Sequence, residues 1–151
     1  LQYYLINKEK FVRDDSYLQE RLQIIWERHF PDVPRPNDVQ IRFGRKAKKR
    51  LGSICSRGGN DLRNNFDTQI LINGHFQSKK IPEYVIDATI AHELCHYTHG
   101  FSSPLPRRCL HPHKGGVVEK ELERRGISHW ADDEWKWLQN NWKTTTNIGL
   151  R

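Results

Sequence analysis

The sequence predicts an α+β fold, a small three-stranded sheet packed on helices, one of which carries two histidines four residues apart. Three observations predict it. Four segments repeat apolar residues at three- and four-residue spacing, the period of a helix with one buried face. Three short runs concentrate alternating or β-branched residues. Prolines and glycines punctuate the joins between them.

Residues 1–13, LQYYLINKEKFVR, fit either a short strand or an arm packed on the domain. Ser16 to Phe30 reads as the first helix, with Leu18, Leu22, Ile25, Trp26 and His29 on one stripe. Asp14, Asp15 and Ser16 are its candidate caps, and Pro31, Pro34 and Pro36 forbid its continuation. Three strands follow, VQIRF (39–43), RLGSICS (50–56) and TQILIN (68–73), in an antiparallel or mixed sheet. Between the last two, SRGGNDLRNN has the composition of a turn.

Pro82 opens the next helix, which runs to about residue 99 and stops at Gly100. A Pro/Gly-rich loop covers residues 101–116. A helix over about 114–125 turns Val117, Val118 and Leu122 inward and ends at Gly126. The last helix, about 131–142, places Trp135, Leu138 and Trp142 on one face, with Trp137 off that stripe. Trp130, Trp135, Trp137 and Trp142 read as core residues at helical spacing, or as the wall of a peptide groove.

The chain of 151 residues suits a single domain, 1–151, with no internal repeat and enough length to bury a core without disulfide or metal staples. No apolar run approaches the ~20 residues of a membrane span, so no membrane partner is expected. No signal-peptide pattern stands at the start. The chain begins at Leu1 rather than Met, so a preceding segment or neighbouring domain stays open. Three cysteines, Cys55, Cys95 and Cys109, make no disulfide framework and favour a reducing compartment. The expected location is the cytoplasm, or the nucleoid or nucleus for a DNA-associated protein, and the expected state is a monomer.

The chemistry concentrates in ATIAHELCHYTHG, residues 88–100. On a helix, positions four apart lie on one face, so His92 and His96 can direct two imidazoles at one ion. Glu93 stands about 100° round the helix from His92, near the ion without being forced to ligate it. A carboxylate there can take a proton from a zinc-held water, whose pKa zinc lowers toward ~7, and pass it to a leaving amine. This is the metallopeptidase reading of His-Glu-x-x-His, with Zn²⁺ as cofactor and a polypeptide as substrate.

A catalytic zinc takes three protein ligands and keeps a fourth position open. His113 is the expected third ligand, because it lies at the predicted start of the 114–125 helix. Glu119, His111 and Cys109 are the alternatives. His111 is also a candidate outer-sphere or oxyanion-stabilising group, or an exposed loop histidine. Tyr97 is a candidate for the same oxyanion role or for packing, and His99 for that role or for a favourable charge at the helix end. Cys95 reads as a small buried residue.

The net charge is +7, and RKAKKR (45–50) is its densest run. Arg45, Lys46, Lys48, Lys49 and Arg50 are candidate contacts to nucleic-acid phosphates. The other reading is a solvated turn whose lysines blunt a sheet edge. Aromatic residues for base stacking are few in this run.

Taken in order, these segments resemble the SprT-like and YgjP-like zinc metallopeptidase domains over roughly residues 18–125. LQIIWERHF is similar to their first helix, and VQIRFGRKAKKRLGSICSRGG to their strand pair. TQILIN resembles their strand ending in Ile-Asn, IPEYVIDATIAHELCHYTHG their active-site helix, and HPHKGGVVEKELERRG the segment bearing a third histidine. The resemblance implies a zincin-like fold, His92, His96 and His113 as ligands, and Glu93 as general base. It also implies peptide hydrolysis, in some relatives of DNA-associated proteins. Leu51 stands where those domains usually have Trp, Val117 where they have an aromatic, and no cysteine pair follows Cys109 to form the zinc ribbon of some relatives.

Overall fold

The structure, a computed structural model, describes residues 12–60 and 65–146. The first of its helices, α1 (Asp15–His29), starts where expected: the Asp14 side chain accepts a hydrogen bond from the Tyr17 N–H at 3.0 Å. Tyr17, Leu18, Leu22, Ile25 and Trp26 are buried along one face. Trp26 donates from its indole N–H to the Val33 carbonyl at 3.0 Å, which ties the proline-rich exit of the helix to the core.

Strands β1 (Val39–Phe43), β2 (Gly52–Asn60) and β3 (Asn65–Ile72) form one mixed sheet in the order β1-β3-β2. β1 runs parallel to β3, with Val39 opposite Thr68 and Phe43 opposite Ile72, and β2 runs antiparallel to β3. Val39 and Ile41 of β1, and Phe66, Thr68, Ile70 and Ile72 of β3, point into the core at the period of two that a one-sided sheet requires. β2 is longer than its sequence suggests. Gly58 and Gly59 lie in β2 with φ of 65° and 63°, where the register with β3 shifts between Arg57 and Asn60. They form a bulge in the ladder rather than the connecting turn. The rest of the expected turn, residues 61–64, lies outside the described residues, as do residues 1–11 of the arm or strand expected at 1–13.

The basic run does not hang as a loose turn. Asn73, buried at the end of β3, donates from its side chain to the carbonyls of Ala47 (2.9 Å) and Arg50 (2.8 Å). Its Oδ1 accepts from the N–H groups of Ala47 and His75. One buried amide therefore satisfies four backbone groups and fixes the path from Arg45 to Arg50.

α2 (Glu83–Thr98) begins after Pro82 and is central: Val85, Ile86, Ala88, Ile90, Ala91, Leu94, Cys95 and Tyr97 are all buried, on nearly every side. It packs against α1, the sheet and the two helices that follow. It closes in a Schellman motif, with the Phe101 N–H on the His96 carbonyl (2.9 Å) and the Gly100 N–H on the Tyr97 carbonyl (3.1 Å). Gly100 has φ of 85°, and a Cβ there would come within 2.7 Å of the Arg107 backbone. The stop is thus both conformational and steric.

α3 (Val117–Arg124) starts three residues later than expected. Gly115 and Gly116 hold left-handed φ values of 80° and 67° just before it, which no helix start at 114 accommodates. Val118 and Leu122 face the core, and Val117 is half-buried. α4 (Ser128–Thr146) extends past both expected ends, and its phase is rotated from the one expected. Trp137 packs against the core with Trp130, Leu138 and Trp142, whereas Trp135 is 62% exposed. No helix of the described residues is long and apolar enough to cross a membrane.

β2 and α2 meet closely at one point. A Cβ built on Gly52 would lie 2.9 Å from Thr89 Cγ2, 3.1 Å from Glu93 Oε1 and 3.3 Å from the Leu71 carbonyl. Gly52→Val is therefore expected to push β2 off α2 and to lower stability by about 1–3 kcal/mol, the range for overpacking a filled site. Chemical denaturation would measure this, and a variant as stable as the parent would show that the strand yields freely.

Candidate metal centre

His92 and His96 stand one turn apart on α2, and both rings face the loop that precedes α3. His113 reaches them from that loop. It is not at a helix start, since three residues, two of them left-handed glycines, separate it from Val117. The three Nε2 atoms form a nearly equilateral triangle with sides of 3.1, 3.1 and 3.0 Å. Three neutral imidazoles cannot satisfy three such contacts as hydrogen bonds, because each ring has one N–H and the other nitrogen bears a lone pair. A shared cation resolves the arrangement. With sides near 3 Å, a point about 2.0–2.1 Å from all three nitrogens, the zinc–imidazole distance, lies roughly 1 Å off their plane. The residues present therefore fit a metal ion held from one side, with its other side open.

The electrostatics agree with that fit. Burial, then the neighbouring His113, lowers His92 to about 4. Burial, then His92 and His113, lowers His96 to about 3. Both rings are thus neutral at neutral pH, the form that ligates. His96 Nδ1 is buried without a hydrogen-bond partner among the described residues, and its ring packs edge-on against Phe101, centroids 6.3 Å apart.

Glu93 is buried beside the histidines and faces Gly52. Burial, then the Glu134 carboxylate, raises it to about 8, against a smaller lowering by Arg50. A divalent cation on the histidine triangle would favour its ionised form. Leu51, Gly52, Thr89 and Glu134 line a cleft of about 500 Å³ together with His92, Glu93 and His113, and Lys49 and Arg50 stand at its edge.

The alternative ligands stand outside the triangle. His111 and Glu119 are exposed, and neither they nor Cys109 belong to the histidine group. Tyr97 is fully buried and donates its hydroxyl to Asn37 Oδ1 at 2.6 Å, edge-on to Trp26, so its oxygen is committed to the core. His99 pairs with Glu121 at 2.8 Å, and Glu121 also takes Arg124 and Arg125. That network, centred on the buried Glu121 carboxylate, braces α3 against the end of α2. Cys95 is fully buried, and burial raises its thiol far above the usual range.

The sequence reading missed Glu134 and Thr89. Thr89 Oγ1 lies 2.5 Å from Glu134 Oε2. Burial raises Glu134 to about 7. The available signal was an acidic residue in phase with Trp130, Trp137 and Leu138 on the inward face of α4.

These features define an α+β protein with a three-histidine site suited to a metal ion. No protein-family model, curated protein or solved structure matches the chain.

Proposed function

We propose that the protein is a zinc-dependent metallopeptidase of the zincin kind, similar to the SprT-like enzymes. The observation that carries the reading is the triangle of His92, His96 and His113 Nε2 atoms with the Glu93 carboxylate in the same cleft. When bound, zinc supplies Lewis acidity and lowers the pKa of a water in its open position toward ~7. Glu93 takes a proton from the attacking water on its carboxylate and returns it to the leaving amine nitrogen. Burial of Glu93 keeps bulk water from competing for that proton.

The cleft opens beside Leu51 and Gly52, at the start of the edge strand β2. An extended polypeptide can add to that edge, which no strand of the described residues pairs, through main-chain hydrogen bonds, a mode that reads backbone more than side chain. Zinc-loaded protein is expected to cut an unfolded protein, to stop when a chelator strips the metal, and to resume when zinc is restored. Cleavage that persists after full metal removal would sink the reading.

A second reading rests on the basic run. Arg45, Lys46, Lys48, Lys49 and Arg50 are all exposed, and none joins an ion pair among the described residues. Such a patch beside the cleft supports a nucleic-acid partner, either delivering DNA-associated proteins to the peptidase or bound by a module whose zinc is structural. Both forms require DNA affinity that falls steeply with salt.

A further inference from the structure

Glu134 is a half-buried carboxylate that the proton transfer above does not use. It projects from the inward face of α4 into the cleft, where it touches Thr89. None of the ion pairs of the described residues includes it. Lys49 and Arg50 stand at the same cleft, yet neither pairs with it. Its hydrogen-bond partner is the Thr89 hydroxyl, and that single proton is shared with the Val85 carbonyl at 3.1 Å. A carboxylate half removed from water with so little compensation is costly to ionise, and burial accordingly raises it to about 7. A glutamine would fill the same space and keep the Thr89 contact without that cost.

Position tells what the charge is for. Thr89 precedes Glu93 by four residues on α2, so Glu134 meets the helix about 6 Å along its axis from the proposed general base. An extended peptide advances about 3.3 Å per residue. A substrate crossing the cleft therefore brings a group within about two residues of the scissile bond up to Glu134. His92 and His96 flank Glu93 on α2, whereas Thr89, which Glu134 touches, lies three residues before His92, so the metal's charge would be nearest to Glu93.

We infer that Glu134 is a specificity residue that binds a cationic group of the peptide substrate, an ammonium or guanidinium within two residues of the cleaved bond. The inference rests on the peptidase reading for its substrate class. The cation is either a lysine or arginine side chain or the free α-amine of a short peptide, and both meet the carboxylate by the same charge-assisted hydrogen bond.

The test is equilibrium binding to the zinc-loaded full chain carrying Glu93→Gln, which removes turnover from the measurement. Three probes are compared: an N-acetylated ten-residue peptide with one central lysine, its norleucine twin, and the norleucine peptide with a free N-terminus. The lysine peptide or the free-amine peptide is expected to bind about tenfold more tightly than the acetylated norleucine twin, the scale of one charge-assisted hydrogen bond. Which of the two gains identifies the source of the cation. Adding Glu134→Gln is expected to erase the difference while leaving the norleucine twin's affinity unchanged. Equal binding of all three, a preference that survives Glu134→Gln, or a uniform loss for every probe would overturn the inference. If the double variant does not fold, the same charge is read on the Glu93→Gln chain alone: the lysine–norleucine gap must narrow as salt is raised, and a gap indifferent to salt overturns it. A parent protein that cuts no peptide refutes the peptidase reading, while the binding comparison still decides Glu134. Cleavage and binding indifferent to charge refute the inference and leave the peptidase intact.

Discussion

Glu93→Gln is expected to lower peptide hydrolysis by about 10²–10⁴-fold in kcat while leaving the metal bound, the range for loss of a positioned general base. The substitution keeps the shape of the side chain and its packing against Gly52. It removes the carboxylate that would carry the proton from water to amine. The candidate ligand atoms belong to His92, His96 and His113, so zinc content is expected to stay stoichiometric. Stability separates this outcome from simple unfolding. In the metal-free protein, Glu93 is raised from 4.5 to about 8 and Glu134 from 4.5 to about 7, chiefly by burial. Both carboxyls therefore bind a proton more tightly folded than unfolded. Their stabilising contribution is full below pH ~4.5 and is lost as pH climbs through about 7–8. Glu93→Gln removes part of that loss, so the metal-free variant is expected to melt higher than the parent at pH ~8 and not at pH ~4.5. Kinetics and melting on one preparation check both halves. Unchanged kcat with zinc bound would remove Glu93 from the mechanism.

The parts legible in the sequence are those set by local pattern. His-Glu-Leu-Cys-His fixes its own helical face, because a four-residue spacing needs only α2 to be a helix, and Gly100 marks where that helix ends. The strand 39–43 matches β1 in full because Val39 and Ile41 alternate with exposed neighbours. His113 is the residue expected at the site, but it stands in the loop before a left-handed glycine pair and not at a helix start. Non-local features were not legible. The parallel pairing of β1 with β3 is decided by chain crossing, which no single strand encodes. Asn73 looks like a strand-end residue, and only the folded chain shows four backbone groups converging on it. α4 carries tryptophans at 130, 135, 137 and 142, so its aromatic pattern supports two phases. Packing on α2 selects the phase that turns Trp135 out and Glu134 in. The residue missed at the site was missed for that reason.

His113→Ala tests the metal centre with the least disturbance to the fold. His92 and His96 are held on the most buried helix of the described residues, so altering either changes packing as well as ligation. His113 is exposed and comes from a loop, and removing its ring exposes little apolar surface. Two imidazoles then remain of three, and an ion held by two neutral nitrogens loses one of its strongest bonds. Zinc affinity is expected to fall by more than the 10–100-fold that changes outside the ligand set typically cause. Competition with a chromophoric chelator measures it. Melting gives an independent reading, because a ligand at 100 times its Kd adds about 2.7 kcal/mol to the folded state. Zinc should raise the Tm of the parent and leave that of His113→Ala nearly unmoved. His111→Ala and Glu119→Gln, both exposed and outside the triangle, should keep the parent's affinity. Their loss of affinity, with His113→Ala unaffected, would transfer the third ligand to one of them. It would also mean that the three nitrogens at 3.0–3.1 Å meet for some other reason than to hold a metal.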